Sequence, residues 1–141
     1  MNIFPLTQNN FSSALALLKE NNLPTEDISE TTKLFVLEDN SCISGTVAIE
    51  YSGQVGLLRS LSVNSTNRSK GLGKQLVDFI ENFAKREGVK TIYLLTTTAE
   101  KFFLKQGYGL TDRNTLPAFI RETSEFSSVC PSTAIVMKKD V

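Results

Sequence analysis

The 141-residue chain contains no histidine and no tryptophan, has only two cysteines and four prolines, and its 15 basic and 15 acidic residues cancel. Without histidine there is no Ser-His or Cys-His nucleophile pair and no histidine metal site, so no metal is expected. Cys42 and Cys130, far apart in sequence, supply neither a disulfide framework nor a zinc site; they fit a reducing compartment, and both read as small buried hydrophobes. Zero net charge leaves no global field to gather nucleic acid or an anionic membrane, so an anion site must be local. No apolar run approaches the roughly 20 residues that span a bilayer, and residues 1–6 lack the charged and apolar blocks of a signal peptide. A cytoplasmic protein is therefore expected, with no nucleic-acid or membrane partner; the sequence leaves a homodimer open.

What is present suits one domain over residues 1–141, with 40% hydrophobic and 21% charged residues. Phe11, Ala14, Leu15 and Leu18 recur at helical spacing, which predicts a helix ending near Asn21 and Asn22, followed by a loop or short helix over 23–32. Residues 33–38 and 42–51 predict a hairpin turning at Asp39 and Asn40, and Ser52 and Gly53 lead into a third strand over 54–63. Leu72, Leu76, Phe79, Ile80 and Phe83 form one stripe of a long helix, with Lys85 and Arg86 in its last turn and Gly88 to stop it. Residues 91–96 predict a strand, and Thr97 with Glu100 has the spacing of a capping box for a helix ending before Gly107. A strand over 108–111, a helix starting at Asn114 or Thr115 before Pro117, and a final strand over 133–138 complete the order. That order, β, α, three strands, α, β, α and two strands separated by an insertion, predicts a mixed α/β (α+β) sheet.

Chemistry concentrates in LSVNSTNRSKGLGK, residues 61–74, where a strand ends and Gly71 and Gly73 open the long helix. A helix's first turn carries unpaired N–H groups and partial positive charge, and glycine lets a phosphate approach without meeting a Cβ. Arg68, Lys70 and Lys74 add cations at the same turn. The Rossmann fingerprint fails because Leu76 stands where its third glycine belongs, and the P-loop fails because Gln75 follows Lys74. Glycines that merely allow tight packing are the alternative.

The spacing of Arg68, Gly71 and Gly73, after the strand residues Leu61 and Val63, resembles the signature of the GCN5-related N-acetyltransferase (GNAT) family. AEKFFLKQGY resembles a second family segment through Ala99, Phe102, Gly107 and Tyr108. The resemblance implies an acyl-CoA N-acyltransferase fold, a mixed and mostly antiparallel sheet of six to seven strands with helices on both faces. It implies acetyl-coenzyme A as cosubstrate and a primary amine on a small molecule as acceptor. Backbone groups at Leu61, Ser62 and Val63 would pair with pantetheine, and Arg68, Ser69, Lys70, Gly71, Leu72, Gly73 and Lys74 would hold the pyrophosphate. Phe102 falls on the same cofactor side.

Two positions depart from the family pattern. Phe103 stands where a tyrosine commonly protonates the leaving thiolate, and Leu57 stands where some members carry a glutamate base. No catalytic residue is assigned: Glu50, Tyr51, Glu122 and Glu125 are candidate proton carriers, but each is more often a surface or structural residue. Tyr108 is a candidate acid whose position suits core packing. Arg59, by alternation on the face of Leu57 until a bulge intervenes, is the candidate substrate-binding residue, able to grip a carboxylate bidentately; an internally paired arginine is the competing reading.

The segment 110–131 exceeds a minimal connection and is expected to wall the acceptor site, with Arg113 and Arg121 adding charge or simply solvated. LLRS around Arg59 and LLTTTAEKFF resemble acetyltransferases associated with arsenic resistance and, more loosely, those acting on glutamate. That implies an amino-acid-like acceptor, such as a glutamate analogue carrying arsenic or phosphorus. A noncatalytic acyl-CoA sensor and a protein-lysine acetyltransferase are the alternatives.

Overall fold

Each change of apolar period from two to about 3.6 residues marks an element in the computed structural model, which describes residues 2–7, 11–21, 32–39, 42–64, 71–123 and 134–141. Strand β1 (Asn2–Pro5) and helix α1 (Phe11–Glu20) precede three antiparallel strands, β2 (Lys33–Asp39), β3 (Cys42–Ser52) and β4 (Val55–Val63). Helix α2 (Leu72–Arg86), strand β5 (Thr91–Thr96), helix α3 (Glu100–Lys105) and strand β6 (Gly109–Leu110) follow. Helix α4 (Ala118–Glu122) and strand β7 (Ile135–Asp140) end the order. The sheet has seven strands in the order β1-β2-β3-β4-β5-β7-β6. Among the described residues its one parallel pair is β4 with β5; the other pairs are antiparallel.

The two faces of the sheet are covered by different helices. α2 buries Leu72, Leu76, Val77, Ile80 and Ala84 against Phe35, Leu37, Val47, Ile49 and Leu58. α1 sets Ala14 against Leu34, Val36 and Ala48 on the opposite face, where Ile120 of α4 meets Leu57, Tyr93 and Val136. α2 ends in the paired hydrogen bonds of a Schellman motif, Val89 N–H to the Ala84 carbonyl (2.9 Å) and Gly88 N–H to that of Lys85 (3.1 Å).

Several expectations are corrected. The buried stripe of α1 is Ala14, Leu17 and Leu18, and Phe11 is exposed, so the helix is rotated toward Leu17. Cys42 is exposed rather than buried, because it opens β3 in the last pair of the β2–β3 ladder, opposite Asp39. No capping box forms at Thr97: α3 has Ala99 as N-cap without a side-chain cap, and the Ala99 N–H donates to Thr96 Oγ1 at 2.9 Å. The strand expected over 108–111 is only Gly109–Leu110. Asp112 caps a 3₁₀ turn over Arg113–Thr115, and the helix expected there begins after Pro117. The expected loop over 23–32 and Cys130 lie outside the described residues, except Thr32.

Candidate active site

β4 pairs with β5 only through Val55–Thr91, Gly56–Ile92 and Leu57–Tyr93. Beyond Leu57 the strands part: β5 continues to Thr96 against β7, and β4 continues to Val63 against β3. The divergence coincides with a bulge. Ala48 faces Arg59 and Thr46 faces Ser62, so Val47 alone opposes Ser60 and Leu61. Ser60 adopts φ 57°, a left-handed conformation that a non-glycine residue holds only when its surroundings impose it. The buried Thr46 hydroxyl imposes it by donating to the Ser60 carbonyl at 2.8 Å. Thr46→Val, nearly equal in volume, is expected to lower stability by about 1–2 kcal/mol in denaturant titration by leaving that carbonyl unsatisfied.

The bulge flips the alternation. Leu57 lies in the α4-side cluster, whereas Leu61 and Val63 pack against the α2-side core. The Asn64 N–H donates to the Ser44 carbonyl of β3 at 2.7 Å, so by strand alternation the N–H groups of Leu61 and Val63 point away from β3, to the side from which β5 has parted. The first turn of α2 follows β4 in chain order, and its Leu72 shares the α2-side core with Leu61 and Val63. Gly71 is its N-cap at φ 76°, with no side chain among the described residues capping the turn. A Cβ at Gly71 would meet nothing within 4 Å, whereas one at Gly73 would sit 3.1 Å from Phe102 Cζ. A Cβ at Gly73 would thus press the Phe102 ring aside by a few tenths of an ångström, and Gly71 is favoured by its left-handed turn. Lys74 is exposed and pairs with Asp78 at 2.8 Å, which raises its pKa through that hydrogen bond and charge. Arg68, Ser69 and Lys70 lie outside the described residues.

An open strand edge leading to an uncapped helix turn fits a pantetheine arm followed by a pyrophosphate. Two contacts at this edge were not legible in the sequence. Asn21, at the end of α1, donates through Nδ2 to Ser62 Oγ and, at 3.3 Å, to the Val63 carbonyl. It is read from the sequence only as a helix end, because nothing local signals a partner some forty residues on. Thr46 is likewise one polar residue in an apolar strand.

On the α4-side face, Arg59 has a fully buried side chain whose Nη1 donates to Glu50 Oε2 at 3.0 Å, with Nε 3.3 Å from Ser60 Oγ. Glu50 is the cross-strand partner of Leu57. The remaining candidates lie elsewhere. Tyr51 packs on the α2-side core and donates to Glu87 at 2.6 Å; that hydrogen bond raises its pKa. Glu122 and Arg121 are exposed on α4, Arg113 donates to the Ala134 carbonyl at 2.7 Å, and Glu125 is outside the described residues.

Tyr108 is a packing residue. It is 2% exposed, stacks edge-on against the buried Phe103, and donates to Glu81 at 3.0 Å, while Lys139 Nζ donates to both Glu81 oxygens at 3.0 and 3.1 Å. Burial first, and then the Glu81 charge and hydrogen bond, push its phenol far above the ordinary value. The folded state therefore keeps this proton where the unfolded state loses it, and that stability is present below about pH 10 and lost as pH rises further. Tyr108→Phe should flatten the decline of stability between about pH 10 and 12 relative to the wild type, measured by denaturation at fixed pH.

A sheet that splays at the parallel pair of β4 with β5, beside a bulged strand and a helix turn opened by a glycine, is the acyl-CoA N-acyltransferase architecture. Residues 30–109 match the acetyltransferase (GNAT) domain family. The chain is 32% identical over 91 residues to an amino-acid acetyltransferase of Pseudomonas syringae pv. syringae, covering 63% of this chain and 21% of that protein. It is 36% identical over 91 residues to one of Pseudomonas fluorescens, with the same coverages. It thus spans about a fifth of the length of these relatives. Among solved structures, N-acetylglutamate synthase from Neisseria gonorrhoeae, complexed with coenzyme A and N-acetyl-glutamate, superposes with a TM-score of 0.83 at 18% identity. That match covers 99% of this chain and 34% of the synthase. The chain belongs to the GNAT acetyltransferase family, whose cosubstrate is acetyl-coenzyme A. No helix among the described residues is long and apolar enough to cross a membrane.

Proposed function

We propose that this chain is an acetyl-coenzyme A-dependent N-acetyltransferase acting on the primary amine of a small, amino-acid-like molecule. The observation that carries the reading is the open edge of β4 beyond Leu57, which runs past the buried Arg59 toward the uncapped turn at Gly71. In this reading the turn at Gly71, Leu72, Gly73 and Lys74 holds the pyrophosphate, assisted by Arg68, Ser69 and Lys70. Leu61, Ser62 and Val63 order the pantetheine, and Phe102 braces the turn from α3. The Leu61 N–H polarises the thioester carbonyl, the kind of fixed dipole that supplies one of the larger catalytic terms.

Arg59 holds the acceptor's carboxylate, which places its amine for direct attack. Proximity then supplies much of the rate and no acyl-enzyme forms, so the lack of histidine is no obstacle. Phe103 has no proton to give, which leaves water to protonate the departing thiolate. The named activity of the Pseudomonas relatives, acetylation of an amino acid, supports this class of acceptor. The arsenic-resistance resemblance adds glutamate analogues carrying arsenic or phosphorus to the acceptors worth testing.

The test is a panel of amino acids, their analogues and carboxylate-free amines incubated with labelled acetyl-coenzyme A. Transfer to a carboxylate-bearing amine, and much weaker transfer to its carboxylate-free counterpart, is expected. The second reading, a noncatalytic sensor, is favoured by the buried Phe103 and by Leu57. Coenzyme binding without transfer to any amine would decide for it.

A further inference from the structure

Every amine that attacks a thioester must surrender a proton, and neither Leu57 nor Phe103 can take or give one. The described carboxylates near the core are mostly engaged elsewhere: Glu81 holds Tyr108 and Lys139, Glu87 holds Tyr51, Asp78 holds Lys74, and Asp112 caps a turn. Glu50 differs in position. Its cross-strand partner is Leu57, the last residue of β4 paired to β5 before the strands part. A carboxylate at Leu57 would stand at the fork itself. Glu50 stands one strand spacing away, roughly 5 Å, a gap covered by the side chain's own length or by one water.

The pair it forms is asymmetric. The Arg59 side chain is 0% exposed and that of Glu50 is 15% exposed, so an acceptor entering this face meets the carboxylate. Arg59 uses Oε2. An α-amino acid carries its ammonium and its carboxylate on the same α-carbon, and an arginine beside a carboxylate presents the complementary pair.

We propose that Glu50 is the catalytic base: it receives the acceptor's amine on Oε1 while Arg59 takes the acceptor's carboxylate. This rests on the reading that the acceptor is amino-acid-like. The acceptor's ammonium first gives one proton to Glu50, which relays it to water, and the resulting neutral amine nitrogen forms the N–C bond as the carbonyl π pair moves to oxygen. The nitrogen's excess proton passes to Glu50. The oxygen pair returns, the C–S bond breaks, and the thiolate takes a proton from water as Glu50 releases its own to water. Arg59 acts as a positioning residue for Glu50 before the acceptor arrives and as a binding residue afterwards.

The test compares Glu50→Gln and Glu50→Asp with the wild-type protein, using an amino acid acetylated by the wild type. Acetyl-coenzyme A affinity, measured calorimetrically, should stay near the wild-type value, because Glu50 does not touch the slot. The kcat of Glu50→Gln should fall by about a hundredfold or more. Glu50→Asp, which keeps a charge beside Arg59 while retracting it, should lose kcat by about tenfold. A structural role alone would instead raise the acceptor KM or lower stability at unchanged kcat. Retention of kcat within about threefold in Glu50→Gln, or in Glu50→Asp should the first variant not fold, overturns the assignment and leaves the acceptor reading standing. Failure of the wild type to acetylate any amino acid overturns both.

Discussion

Arg59→Ala is expected to lower kcat/KM for a carboxylate-bearing acceptor by roughly 30- to 1000-fold, corresponding to about 2–4 kcal/mol for truncating one partner of a buried charge pair. Acetyl-coenzyme A affinity should change little. The physical reason is that Arg59 is the buried cation on the face shared with Leu57, and its guanidinium is a planar fork that matches a carboxylate. The same substitution strands the Glu50 carboxylate in a low-dielectric floor, so stability should fall as well, by about 3 kcal/mol or more. Arg59→Lys separates the two effects. It keeps a charge for Glu50 but loses the fork, so stability should largely recover while acceptor recognition stays impaired. Steady-state kinetics with an amino acid and its decarboxylated counterpart provides the readout: the variant should erase the preference between them.

Gly71→Val should cost acetyl-coenzyme A about a hundredfold in affinity, read as a calorimetric Kd. Two effects add. The N-cap φ of 76° costs an L-residue roughly 1–2 kcal/mol, and a β-branched one more, so the turn shifts away from the conformation that aims its N–H groups outward. The new side chain also projects where no described residue has an atom within 4 Å, which is the space a phosphate must enter. Because that Cβ touches nothing among the described residues, the affinity loss should far exceed the loss of thermal stability. Gly73→Ala behaves differently: its Cβ presses on the Phe102 ring at 3.1 Å, so its effect passes through the packing of α3 on α2.

The course of the sheet was legible because strands and helices carry different apolar periods. The stripe from Leu72 to Phe83 gave α2 its length, and Gly88 its end, since a left-handed residue after the last turn is a local requirement. The hairpins around Gly53 and the strand over Thr91–Thr96 followed for the same reason. Where tertiary contacts decide, the sequence misleads. Phe11 sits at helical spacing with Ala14 and Leu18, yet α1 turns Leu17 inward instead, because the sheet offers Leu34, Val36 and Ala48 as its seat. The Thr97 and Glu100 spacing loses to Thr96, whose hydroxyl already accepts the Ala99 N–H.

The cofactor side of the site is local chemistry, a strand, a loop and a helix turn contiguous in sequence, and so could be read directly. The bulge could be anticipated only by resemblance; its support by Thr46 depends on a residue fourteen positions away in sequence. The acceptor side is wholly a matter of cross-strand register. Glu50 stands out only once the pairing of β3 with β4 sets it opposite Leu57 and beside Arg59. That register runs unbroken from the tight turn between Ser52 and Val55, and a one-residue slip would have turned the carboxylate to the α2 side.

The central claim is that the open edge of β4 carries the coenzyme and the adjoining floor carries an amino acid. A structure determined with coenzyme A and an acetylated amino acid tests it most directly. The pantetheine should run along Leu61 and Val63, the pyrophosphate should rest on the turn from Gly71 to Lys74, and the product's carboxylate should lie within hydrogen-bond distance of the Arg59 guanidinium. Coenzyme bound away from the fork between β4 and β5, or a product carboxylate held by other residues with the Arg59–Glu50 pair undisturbed, would contradict the account.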